Sequence, residues 1–122
     1  MADREPAITA EIAPSVGSID AGEWDRLAGG DPFTSHAFLN ALEQSGSVGA
    51  GTGWSPAPIR IVEDGRTAAA APAYFKTDSQ GEYVFDHGWA DAWQRAGGDY
   101  YPKLLVAVPF TPVPGPRLLG SR

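Results

Sequence analysis

Apolar residues recur at helical spacing in some stretches of the chain and alternate or run unbroken in others, a pattern that predicts short helices mixed with strands. In "SIDAGEWDRLAGG", Asp20 is followed three residues later by Glu23, the spacing of a capping box; Trp24 and Leu27 lie one turn apart, and Gly29-Gly30 stops the helix. "FTSHAFLNALEQSG" predicts a second helix, with Thr34 as its cap, Phe33 and Phe38 placed as a hydrophobic staple, and Phe38, Leu39 and Leu42 on one stripe. A third is predicted after Asp86, with Trp89, Ala92, Trp93 and Ala96 sharing a face before Gly97-Gly98.

Strand signals fill the intervals. Ile59 and Ile61 alternate ahead of Asp64-Gly65, the favoured pair for a two-residue hairpin turn, and the returning arm reaches Tyr74 and Phe75. Pro72 cannot donate to a ladder, so that arm should bulge or lie at an edge there. "EYVFD" sets Tyr83 and Phe85 on one face against Val84 on the other and predicts another arm. "KLLVAV", residues 103–108, is an unbroken apolar run, the mark of a strand covered on both sides. "SVGAGTGWSP" reads as a flexible connector, and Pro109, Pro112, Pro114 and Pro116 force an extended tail. A buried strand needs neighbours on both edges and the tail's apolar residues need something to pack on. The chain therefore reads as part of a larger fold, with residues 1–17 an N-terminal segment and 18–122 a partial domain.

Composition narrows the function classes. The 122 residues are 43 % hydrophobic, enough for a real core, and the 15 glycines and 11 prolines are dispersed among aromatics rather than repeated. A formal charge of -6 with no Lys or Arg cluster makes nucleic acid an unfavourable direct partner. The absence of cysteine removes disulfides, thiolate nucleophiles and Cys-based metal sites, and suits a reducing cytoplasm. No signal-peptide core or membrane-length apolar run is present, so a cytoplasmic protein is expected.

Candidate chemistry concentrates in "GEYVFDHGWADAW". His87 with Asp91 matches the H-x-x-x-D of one class of CoA-dependent acyltransferases, but two histidines and nine aspartates make that spacing a frequent accident, and Ala92 stands where the class has glycine. Asp86 is the stronger candidate, because it ends an aromatic strand and begins a helix, near free N–H groups. Plain capping, worth about 1 kcal/mol, is the competing explanation. His36 has no second ligand at metal spacing and is expected to be a surface or packing residue rather than a ligand. Trp24, Trp54, Trp89 and Trp93 are expected in the core. Tyr100 and Tyr101 must point to opposite sides of an extended chain, so one can face outward beside the Lys103 ammonium. "QRAGGD" approaches a pyrophosphate loop, but Asp99 would repel phosphate and the stretch ends a helix rather than starting one.

Taken in order, "PFTSHAFLNALEQSGSVGAGTGW", "GEYVFDHGWADAW" and "DYYPKLLVAVPFTPVPGPRLL" resemble the FemAB-like branch of the GNAT acyltransferase superfamily, whose proteins carry peptidoglycan biosynthesis or recognition descriptions. The resemblance runs from about Trp24 to Leu119 as several separated blocks in the right order. It implies an α/β fold, a GNAT-like mixed sheet with flanking short helices, of which this chain would be an incomplete amino-terminal half. It also implies acyl-CoA or a similar acyl donor, no metal, and direct attack by an acceptor amine on the acyl carbonyl.

The leading expectation is an N-acyltransferase in which this chain supplies the acceptor side of the cleft. Local chemistry then puts Asp86 or His87 at removal of the amine proton, Trp89, Tyr100 and Tyr101 around a small-molecule or peptide acceptor, and Lys103 against an anionic group. The missing carboxy-terminal half, or a second copy, would complete the site. The alternatives are a non-catalytic module that recognises a peptide or glycan, and an inactive truncated copy. Transfer from aminoacyl-tRNA is disfavoured by the acidic balance.

Overall fold

The computed structural model describes residues 7–82 and 86–120. Ten regular elements follow one another: β1 (Ile8–Ile12), α1 (Ala21–Ala28), α2 (His36–Gln44), β2 (Trp54–Pro56), β3 (Ile59–Glu63), β4 (Arg66–Ala71), β5 (Ala73–Lys76), α3 (His87–Arg95), β6 (Lys103–Val106) and β7 (Leu119–Gly120). The class is α/β, as the pattern predicts. Among the described residues the strands form two sheets, ordered β1-β3-β4-β7 and β2-β5-β6, with every pairing antiparallel in place of the expected mixed sheet.

Local chemistry explains most of these elements. Asp64 (φ 50°) and Gly65 (φ 80°) both take the left-handed conformation that a type I′ hairpin turn requires, which joins β3 to β4. Pro72 does more than bulge a strand. It sits between β4 and β5, and the chain leaves the first sheet at Ala71 and enters the second at Ala73. Its carbonyl accepts from the Ala107 N–H at 3.1 Å, so Pro72, without an amide donor of its own, still joins the second sheet.

α1 is capped as expected, with the Asp20 carboxylate accepting from the Glu23 N–H at 2.9 Å and Gly29 in the left-handed conformation (φ 68°) at its end. Glu23 does not close the capping box. Its carboxylate instead accepts from the Thr67 N–H at 3.3 Å and ties α1 to β4. Trp24 is fully buried and its indole N–H donates to the Thr34 carbonyl at 2.8 Å. Around it pack Val16, Ile19, Leu27, Leu39 and Leu119, which form the main core. A smaller core of Val48, Trp54 and Tyr74, flanked by Leu42 and Leu105, lies on the second sheet. Burial there, and then the Glu43 charge, raise the Tyr74 phenol above its ordinary value, so it stays neutral.

The structure corrects several expectations. The cap of α2 is Ser35, whose hydroxyl accepts from the Phe38 N–H at 3.2 Å, because Pro32–Thr34 first close a 3-10 turn that Asp31 caps. Phe33 and Phe38 still meet edge to face at 5.6 Å. His36 packs as expected, its Nε2 at 2.8 and 2.9 Å from the Val16 and Ile19 carbonyls. The glycine-rich connector is ordered as a turn, with the Gly49 N–H donating to the Trp54 carbonyl at 2.7 Å. Residues 8–12 and 119–120, where no strand pattern was visible, become edge strands of the first sheet. Trp89 and Trp93 are not core: they are 77 % and 57 % exposed, and Ala90 is the buried residue of α3.

The largest correction concerns residues 103–108. Among the described residues β6 pairs with β5 alone and forms the edge of the second sheet, with Leu104 46 % exposed and only Val108 of the apolar run buried. The expected arm at Tyr83, Val84 and Phe85 lies outside the described residues.

Candidate functional site

The second sheet brings two lysines face to face. Lys76, the last residue of β5, is the register partner of Lys103, the first of β6. Like charges directly opposite one another destabilise a strand pair, so an acid must come between them. Glu82 does this. Its Oε1 accepts from Lys103 Nζ at 2.8 Å and its Oε2 lies 3.6 Å from Lys76 Nζ, with the Glu82 side chain 8 % exposed. Asp86 extends the row through a very short contact with Lys103 Nζ. The result is a nearly dry ladder, Lys76, Glu82, Lys103, Asp86, in which positive and negative groups alternate.

Hydroxyls complete it. Tyr100 donates to Asp86 Oδ2 at 2.6 Å, Lys103 also donates to Ser79 Oγ at 3.0 Å, and the Ser79 and Tyr101 hydroxyls share a bond at 2.6 Å. Lys76 has no exposed side-chain surface; its ammonium donates to the Gln80 carbonyl at 2.5 Å and lies 3.8 Å from the centre of the Trp54 ring. Burial lowers the Lys76 pKa, and Glu82 and Asp78 offset part of that shift. For Lys103 burial also pulls downward, but the bonds to Asp86 and Glu82 win and hold the ammonium above its ordinary value.

Asp86 was expected to cap a helix or face a substrate. It precedes α3, yet its side chain makes no capping bond. Burial alone would raise its pKa, but donors from Lys103, Ser79 and Tyr100 outweigh burial and hold the carboxyl well below the usual carboxylate range. An acid so firmly ionised is a poor proton acceptor and a good anchor for a cation. The same bond to Asp86 raises the Tyr100 pKa. Two oxygens of the ladder, Asp86 Oδ1 and Glu82 Oε2, are buried without a hydrogen bond among the described residues, Glu82 Oε2 keeping only its ion pair with Lys76.

Both carboxylates open onto a groove of about 750 Å³. One wall is β6 and its continuation, residues 104–108; the other is the proline-spaced segment from Phe110 to Arg117. The groove is therefore polar at one end and mostly apolar along its length. Of the residues expected at a site, Asp86, Tyr100 and Lys103 line it, and Tyr101 braces it from behind through Ser79. His87, the exposed first residue of α3, and Trp89 are not part of its lining. Lys76, Ser79 and Glu82 were missed. Their signal was present in two lysines ending apolar strands on either side of an acid-containing loop, which only the strand register converts into a charge ladder.

Gly81 lies at the floor of the groove with φ 78°, and a Cβ there would fall 2.5 Å from the Phe110 ring and 3.1 Å from the Trp54 indole nitrogen. Gly81→Ala should therefore cost at least about 2 kcal/mol, from the left-handed backbone and the displaced rings together. Urea titration checks this, and a loss under 0.5 kcal/mol, about the spread of ordinary surface changes, would show that the ring positions are not fixed.

Residues 94–99 form the end of α3 and the turn beyond it, so they present carbonyls rather than a helix N-terminus and do not fit a pyrophosphate. No helix among the described residues is long and apolar enough to cross a membrane. The model of the FemAB-like family, described as peptidoglycan biosynthesis/recognition, matches residues 15–122. No curated protein matches the chain, and no solved structure does. From the span of the family match, the chain belongs to the FemAB-like peptidoglycan biosynthesis/recognition family.

Proposed function

We propose that the protein serves an N-acyltransferase of GNAT type that modifies peptidoglycan or its precursors, and that its groove holds the acceptor amine. The observation that carries this reading is the buried Asp86 Oδ1, which accepts no hydrogen bond among the described residues, beside Glu82 in the lining of an otherwise mostly apolar groove. A buried acceptor atom without a donor is costly, and a ligand ammonium supplies one. Asp86 and Glu82 then hold the amine, Tyr100 and Lys103 keep Asp86 ionised, and His87, next to Asp86 in the chain but outside the groove lining, is assigned the proton that frees the nitrogen lone pair. The acyl donor, acyl-CoA by family resemblance, has no cradle among the described residues, and no step is assigned to it.

The test uses the full chain with acetyl-CoA and a lysine-containing peptide, following acyl addition by mass spectrometry. Asp86→Asn should raise KM for the peptide about 10-fold or more, as expected for loss of a charged hydrogen bond. His87→Gln should lower kcat by about 10² or more while KM changes little. Unchanged kinetics in both variants would remove the assignment.

A second reading is favoured by the firm ionisation of Asp86: a non-catalytic module that recognises a cationic peptide. Calorimetry separates the two, since the module binds the peptide but gives no heat with acetyl-CoA.

A further inference from the structure

The free edge of β6 is built to take one more strand. The Ala107 N–H points to β5, where it meets the Pro72 carbonyl. Antiparallel alternation then turns Lys103 and Leu105 toward β5 as well, and turns the N–H and C=O groups of Leu104 and Val106 away from it. Among the described residues no strand lies on that side. Five consecutive residues, 104–108, line the groove, and consecutive residues belong to both faces of the pleat, so the groove meets the edge of the strand rather than one face.

The groove lining carries an unsatisfied acceptor and a cation. Asp86 Oδ1 is buried and accepts no hydrogen bond among the described residues, in a ladder whose two acids are balanced by Lys76 and Lys103. The cation is Arg117, which donates to the Val113 and Pro116 carbonyls at 2.8 and 3.2 Å and has no carboxylate within ion-pair distance among the described residues. Natural edges are usually blunted by a bulge or a proline, and among the described residues β6 has neither along Leu104 to Val106.

The geometry points to an extended peptide of about four residues, added parallel to β6 as a fourth strand of the second sheet, with its amino-end ammonium group at Asp86 and Glu82 and its carboxylate toward Arg117. Main-chain bonds to Leu104 and Val106 give affinity that is indifferent to side-chain identity, and the two charged ends set orientation. The four residues of β6 span about 13 Å, the reach of such a peptide. This inference rests on the amine-binding role assigned above and names the substrate class for it.

The experiment is calorimetry on the full chain with the peptide Lys-Ala-Ala-Ala, free at both termini, and three analogues each N-methylated at one alanine. Strand addition predicts alternation: methylation of an amide facing β6 weakens binding at least 10-fold, and methylation of its neighbour changes it less than 3-fold. Amidation of the C-terminus should weaken binding several-fold, and Arg117→Gln should abolish that difference. Val106→Pro, which removes an outward N–H and leaves the bonds to β5, should lose binding with an unchanged melting temperature. Should that variant fail to fold, the methylated peptides still decide. A uniform response to methylation overturns the inference, as does a concentration-dependent dimer that the peptide cannot dissociate, since a second copy would then own the edge. Alternating peptide binding without acyl transfer leaves strand addition standing and removes only the catalytic reading. Transfer that ignores N-methylation does the reverse.

Discussion

Replacing Trp24 by alanine should destabilise the protein by about 3–5 kcal/mol, close to what a small domain can lose before it unfolds. Two effects combine. The indole is fully buried among Val16, Ile19, Leu27, Leu39 and Leu119, so its removal opens a cavity that α1, α2 and β7 close only in part. Its N–H is also the donor to the Thr34 carbonyl, which joins α1 to the turn preceding α2. Trp24→Phe separates the contributions: it keeps most of the ring volume and should cost about 1–3 kcal/mol, chiefly from the orphaned carbonyl. Urea unfolding of the two variants checks the prediction, and equal losses would place the energy in the hydrogen bond instead of the cavity.

Lys103→Met should cost about 3 kcal/mol, at the low end for breaking a buried ion pair because the Lys103 and Asp86 side chains keep 13 % and 18 % exposure. The variant leaves Glu82 and Asp86 as adjacent carboxylates without their shared cation. Its pH dependence is the sharper test. In the native protein the Asp86 carboxyl is held below its unfolded value, so its contribution to stability is complete above the ordinary carboxylate range and is lost as pH falls below about 4. Without Lys103, burial is opposed only by hydroxyl donors, the folded-state value rises, and the acid loss shrinks. Urea midpoints from pH 7 to pH 2 should therefore converge for the two proteins at low pH. Parallel curves would show that Asp86 and Lys103 are not coupled.

How much of this was visible in the sequence depends on whether the deciding interaction was local. The Asp20 cap, the Gly29 stop, the Asp64-Gly65 turn and the buried Trp24 all depend on residues within a few positions, and each is found where the pattern put it. The failures share a cause. β1 and β7 carry no amphipathic signal strong enough to announce a strand, and they exist because β3 and β4 offer edges far along the chain. The helical spacing in α3 suggested a buried tryptophan face, but Trp89 stands largely exposed, Trp93 folds its indole over Gly98 instead of into a core, and the small Ala90 is the buried residue. The apolar run at 103–108 suggested an interior strand, because composition reports burial and not the number of neighbours. Asp86 was legible as an acid at a strand-to-helix corner. Its partners were not, since Lys103 and Tyr100 reach it only after β6 has docked on β5.

The passage of the chain through Pro72 has a mechanical side. A sheet that holds the main core and a sheet that carries the charged groove are successive lengths of a single backbone, separated by one rigid ring whose side chain is wholly enclosed. There is no hinge to absorb a tilt of one relative to the other. Any ligand that straightens or twists the groove strand must pass that strain directly into the packing around Ala70 and Leu119, and mutations there can alter binding without touching the groove.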